Sequence, residues 1–168
     1  MVKNEILNNV YMNSLLTSKV EISINDIGDN LIYQLQHVIE EKYEGKCIVE
    51  GYIKPGSVKI KNYSSGTVNG EYIVFHIVWN CLICNPIEGM VIQCITKTIT
   101  KAGIHAEVID KDGNMPITVF IARDHHFTNQ YYSEITEKSD IKVEIIGSRF
   151  ELHDPYICVI AKVITDSD

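Results

Sequence analysis

A chain of 168 residues with a formal net charge of −7 has room for one large domain or two small ones. Its acidity excludes a generic nucleic-acid binder that works through clustered Lys and Arg. Any RNA contact must come from a local patch or from the field of a larger assembly. The longest apolar runs, such as YIVFHIVW, fall far short of the ~20 residues of a membrane helix, and the polar start MVKNEILNNVYMNS lacks the blocks of a signal peptide. The expectation is a soluble, intracellular protein.

The first dozen residues show no period and read as an arm. Lys19 to Asn25 alternates Val20, Ile22 and Ile24 with polar partners, which predicts a half-buried strand. Asn25 or Asp26 offers an N-cap to a helix carrying Ile27, Leu31, Leu35, Val38 and Ile39 on one face, with Gly45 as its C-terminal stop. Cys47 to Ile53 predicts a strand, Lys54-Pro55-Gly56-Ser57 a turn, and Val58 to Lys61 another strand. Asn62 to Gly70 is rich in loop formers and ends in Asn-Gly. Glu71 to Ile83 predicts one long strand. The opening half is therefore an α+β domain, a helix on a small antiparallel sheet.

Asn85-Pro86 breaks the long strand and marks a boundary, giving domains 1–86 and 87–168. Beyond it the pattern is all-β. Strands are predicted at Gly89–Thr98, Ile104–Ile109, Pro116–Ala122, Asp140–Ile146 and Tyr156–Ile164, with turns at Thr100–Gly103 and Asp110–Asn114. Arg123 to Lys138 is polar and irregular, the one long connection. Five short strands with a long link after the third predict a five-stranded barrel of the oligonucleotide-binding (OB) type.

Chemistry-bearing residues are sparse. Cys47, Cys81, Cys84, Cys94 and Cys158 are odd in number and irregular in spacing, which argues against a disulfide framework. Cys81-Leu-Ile-Cys84 reads as a zinc half-site, as a redox pair or as small buried hydrophobes. Residues three apart in a strand point to opposite faces, which favours the last. Arg123-Asp124-His125-His126 reads as metal or base chemistry or as a plain loop, with His153-Asp154 the one remote partner. DKDGN at 110–114 lacks the spaced carboxylates of a calcium loop and reads as a hairpin turn. No nucleotide-binding, metalloprotease or serine-nucleophile motif occurs. No metal, cofactor or catalytic residue is expected.

The order of helix-bearing sheet, short junction and barrel resembles the larger stalk subunit of archaeal and eukaryotic RNA polymerases, known as E-prime in archaea and as the seventh subunit in RNA polymerase II. The resemblance runs from about Lys19 onward. It is carried by Gly45-Lys46 after the helix, and by the strand Tyr72-Ile-Val-Phe75 running into Pro86-Ile-Glu-Gly89-Met-Val-Ile92. The barrel resembles the ribosomal-protein-S-one type of RNA-binding domain at Glu88–Ile92, Ala102–Ala106 and Val119–Ile121. CIVEGYIKPGSVKI is similar to homologues from large DNA viruses. The barrel departs from that type in offering only His105 for stacking on 103–107, with Phe120 readable as surface or core.

The resemblance implies a non-catalytic subunit of DNA-directed RNA polymerase, serving initiation and elongation. Its first domain would dock on core subunits through Asn62, Tyr63, Ser64, Ser65, Gly66, Thr67, Val68, Asn69 and Gly70. The barrel would meet nascent single-stranded RNA or initiation factors. Candidate RNA contacts are Lys97, Lys101, His105, Arg123, His125, His126, Lys142 and Arg149, with Phe127 as a stacking aromatic. A small helical stalk partner along both domains is implied, with apolar surface exposed at the domain junction when the chain is alone. So is a location with the polymerase, in nucleus or cytoplasm, or in a viral factory or virion. A free-standing RNA-binding regulator is the alternative, and an enzyme using the His-rich loop is the third reading.

Overall fold

The computed structural model describes residues 10–165; 1–9 and 166–168 lie outside the described residues, and with them most of the expected arm. The first strand, β1 (Tyr11–Ser23), is longer than its alternation suggests. It pairs antiparallel with β6 (Tyr72–Cys84) along its whole length, from Tyr11 opposite Cys84 to Ser23 opposite Tyr72. The alternation at Lys19–Asn25 marks the part that the helix covers. Tyr11 to Ser18 is held by the backbone ladder while Met12 and Leu15 stay exposed, so no burial pattern announces it.

The helix α1 (Leu31–Tyr43) starts later than Asn25 or Asp26. Ile24–Asp26 forms a single 3-10 turn, and Gln34 bridges the gap: its amide donates to the Asp26 carbonyl, and its carbonyl accepts from Gly28 N–H. Gly45, at φ +70, follows the last turn as predicted. Leu35 and Ile39 face inward onto Val20, Ile22, Phe75, Ile77 and Trp79, forming one core. The tryptophan stacks on Tyr43 at 5.0 Å and donates its indole N–H to Ser18 Oγ at 3.0 Å.

Cys47 to Ile53 is two short strands rather than one, β2 (Cys47–Ile48) and β3 (Gly51–Ile53), joined by a tight turn. β3, β4 (Lys59–Tyr63) and β5 (Thr67–Asn69) then line up along the other side of β6. The result is a six-stranded antiparallel sheet with β1 at one edge.

After Pro86 the strands β7 (Val91–Ile99), β8 (Gly103–Val108), β9 (Ile117–Ala122), β10 (Asp140–Arg149) and β11 (Ile157–Val163) close a barrel. Its order is β10-β11-β9-β8-β7, with β9 and β11 parallel and the other pairs antiparallel. Period-two alternation drives the closure. Ile104, Ala106 and Val108, with Ile117, Val119 and Ile121, point inward and are fully enclosed. The link between β9 and β10 is more ordered than its composition suggests. It holds a 3-10 turn at Arg123–His125 and a short helix α2 (Gln130–Glu134), capped by Asn129.

The sheet and the barrel share a buried seam. Val10, Cys47, Tyr52 and Cys84 belong to the same apolar cluster as the barrel interior. Tyr11 OH donates to Asp110 Oδ2 at 2.8 Å, and Lys54 Nζ meets Asp112 Oδ2 at 2.7 Å while lying 5.3 Å over the Tyr11 ring. Cys47 N–H donates to the Asp154 carbonyl, and the Cys47 carbonyl accepts from His153 N–H. The DKDGN turn is thus a structural clasp. Asp110 Oδ1 accepts from the N–H groups of Asp112 and Asn114. Burial raises the Asp110 pKa, but the hydrogen bonds from Tyr11, Asn114 and Asp112 outweigh it, and the net shift is downward.

Candidate interaction surfaces

The predicted docking loop is mostly strand. Asn62 and Tyr63 end β4, Thr67–Asn69 form β5, and both pair with β6. Ser64 N–H donates to the His76 carbonyl and Ser64 Oγ accepts from His76 N–H, so the crossing between them is pinned as well. Gly66 lies against Ile73 and Phe75 so closely that a Cβ there would collide with both. Turn residues suggest a loop; the long partner strand β6 overrides them. What the segment presents is a firm surface carrying Tyr63, 39% exposed, and Val68, 68% exposed, with Tyr72 beside the turn.

The barrel candidates fall into separate places. Lys97 on β7 is bound to Glu107 at 2.7 Å, and Arg149 at the end of β10 lies 3.7 Å from Glu151. His105 on β8 packs its ring on Phe120 of β9, centroids 5.0 Å apart. His105 and Arg149 line one groove, which also includes Thr118, Phe120, Gly147, Cys158 and Ile160, with a volume of about 420 Å³. Arg123 N–H bonds to the Ala102 carbonyl, which brings the Lys101 turn next to Arg123 and His125 at one end of the barrel. Lys142 lines a different hollow with Tyr131 and Asp140. Phe127 stands 77% exposed on the β9–β10 link.

His126 leaves the set of surface candidates. It is buried and stacked on Tyr132 at 4.8 Å, with Nδ1 2.7 Å from the Ala122 carbonyl and Nε2 accepting from Val163 N–H at 3.0 Å. With the first nitrogen as donor and the second as acceptor, the neutral ring is fully satisfied and ties the link to β11. The adjacent histidines diverge: His125 closes the 3-10 turn and stays at the surface, while His126, just past it, turns inward. No cluster of three or more His, Cys, Asp or Glu with metal-binding geometry occurs among the described residues.

The cysteines follow the strand argument. Cys81 enters the core under the helix and Cys84 the seam with the barrel, on opposite faces of β6. Burial pushes the Cys81 thiol up to about 11, and those of Cys47, Cys84 and Cys94 up to about 12. All four are neutral thiols near neutral pH. Cys158 is exposed on β11. Sequence reading missed it and Ile160 as surface features. The signal was present in ICVIAKV, whose outward positions are Cys158, Ile160 and Lys162, an apolar residue where a polar one is usual.

A second apolar hollow lies at the seam. Leu15, Leu16, Ile48, Val49 and Trp79 line it from the sheet, and Leu152 from the β10–β11 turn. Val49 is 77% and Leu152 58% exposed. No helix among the described residues is long and apolar enough to cross a membrane.

The described residues thus form a helix-bearing antiparallel sheet clasped to a closed five-stranded barrel that fits the OB fold. No family model matches the chain. It is 24% identical over 165 residues to a protein of Acanthamoeba polyphaga mimivirus named as a "Putative DNA-directed RNA polymerase subunit", an alignment covering 92% of this chain and 82% of that one.

Proposed function

We propose that this chain is a non-catalytic stalk subunit of a DNA-directed RNA polymerase, intracellular and working with that enzyme in transcription. The observation that carries the reading is the mimivirus relative, because the likeness spans 92% of the chain and so takes in both sheet and barrel. The sheet half docks on the core subunits through Asn62–Gly70, whose pinned backbone presents Tyr63 and Val68 without an ordering cost at binding. The barrel points away and meets nascent RNA or initiation factors. Lys101, Arg123, His125 and Phe127 at its end, and His105 with Arg149 at its groove, are the contacts. The hollow at the seam, with Val49 and Leu152 exposed, supports a small helical partner laid across both halves.

The test is gentle purification of the tagged chain from its native system with identification of what accompanies it. Large polymerase subunits in near-equal amounts support the reading. The chain alone, or with RNA and no polymerase, refutes it and leaves a free RNA-binding regulator as the better account.

A further inference from the structure

The groove on the barrel wall has chemistry that the stalk reading does not specify. Two cross-strand rows face outward there. His105, Phe120, Ile160 and Gly147 are in register across β8, β9, β11 and β10, and form an apolar row. Glu107, Thr118, Cys158 and Arg149 form the row beside it. Ile160 is 49% exposed, an unusual expense on an open strand face. Gly147 follows a bulge in β10, and the space above its Cα is empty. The Thr118 hydroxyl oxygen is buried with no hydrogen-bond partner.

Charge argues against a polyanion in this groove. Lys97, Arg149 and Lys162, the cations around it, each sit within ion-pair distance of a carboxylate, Glu107, Glu151 and Glu144 respectively. Over residues 87–168 the chain holds 8 Lys and Arg against 13 Asp and Glu, a balance of −5. Phosphate binding needs unpaired, clustered cations, and an acidic barrel repels a nucleic-acid backbone. The same field attracts a basic polypeptide.

We propose that this groove is a protein-docking site that takes a large apolar side chain from a segment of another protein flanked by Lys or Arg. The apolar row buries the anchor, and the net negative charge of residues 87–168 steers its basic flanks. The inference rests on the stalk reading only for the outward placement of the barrel, and it narrows the barrel contact from RNA or factor to factor at this surface.

Cys158 makes the test direct, because it is the exposed cysteine and the other four are buried. It lies in the second row of the same groove, so a benzophenone maleimide attached to it stands beside whatever occupies the apolar row. The tagged chain is purified, labelled, returned to a transcribing extract of its native system, irradiated and purified again. The expected product is a crosslink to an apolar residue of a co-purifying polypeptide, with Lys or Arg close by in its sequence. Gly147→Leu, which fills the empty space without backbone strain, should cut the yield about tenfold or more. Ile160→Ser, at an exposed position, should do the same if Gly147→Leu perturbs β10. A crosslink to the transcript, no crosslink, or yields unchanged in both variants overturns the proposal. Absence of polymerase subunits from the same preparation counts against the stalk reading instead, and the crosslink is read independently of it.

Discussion

The sheet half and the barrel half are built from similar alternating strands, but β1 ends the sheet in an open edge while the barrel closes on itself. Along β1 the outer backbone groups have no partner strand among the described residues, and Met12 and Leu15 beside them are 65% and 62% exposed. Soluble proteins usually blunt such an edge with charge, proline or a bulge. Here Lys19 and Glu21 pair with each other, and Tyr11 to Ser18 carries no charge. The barrel has no edge to protect, and its exposed apolar groups are scattered: Ile160 in the groove, Phe127 on the β9–β10 link, Leu152 at the seam, and Val91, Ile95 and Ile99 along β7. The sheet half thus leaves one edge open, while the barrel leaves none.

The largest expected effect asks whether the two halves are one folding unit. Trp79→Ala opens a cavity under α1 and loses both the Tyr43 stacking and the Ser18 hydrogen bond. It should cost about 3–5 kcal/mol in urea unfolding. Because Val10, Cys47, Tyr52 and Cys84 belong to the barrel cluster, circular dichroism should still show a single transition. Two separated transitions would break the shared-seam account.

Gly66→Val comes next, at about 1–3 kcal/mol by thermal unfolding, since the new side chain collides with Ile73 and Phe75. It should loosen β5 and lower recovery of polymerase subunits while the barrel keeps its amide protection. Equal loss of protection in both halves would contradict a local role.

Acid probes the clasp. The hydrogen bonds to Asp110 hold its pKa below the ordinary carboxylate value of about 3.9, so its stabilisation is complete above that value and fades as pH falls through the folded pKa. Asp110→Asn should lower the melting temperature by a constant amount above about pH 5, with the difference from wild type shrinking below about pH 4. A difference that grows in acid would reverse the assigned sign.

The smallest effect is at the barrel surface. Lys97→Ala removes an exposed pair with Glu107 and should change stability by about 0–1 kcal/mol. Filter binding of oligouridylate should barely respond, because that lysine is already neutralised. A large loss of RNA affinity would move RNA onto the groove face.

Much of the fold is legible in the sequence because burial alternates where strands are covered on one side. Ile104-His-Ala-Glu-Val and Ile117 to Ala122 each announce a barrel strand, and Leu35 with Ile39 announces the helix face. β1 before Lys19 is not legible, because an edge strand is fixed by its neighbour's backbone rather than by its own pattern. The segment 62–70 reads wrongly as loop for the same reason: small polar residues signal turns, while β6 supplies the ladder. Single surface residues are the least legible. His126 and His125 are adjacent and chemically identical, and only the fold buries one and leaves the other outside.

The most direct test of the central claim is which half touches the polymerase. A photo-reactive phenylalanine placed at Val68 in one preparation and at Phe127 in another, each purified with its partners, separates the two ends. Docking through the sheet predicts covalent attachment of the Val68 variant to large core subunits and none for the Phe127 variant. Attachment from Phe127 alone, or from neither, would contradict docking through the sheet.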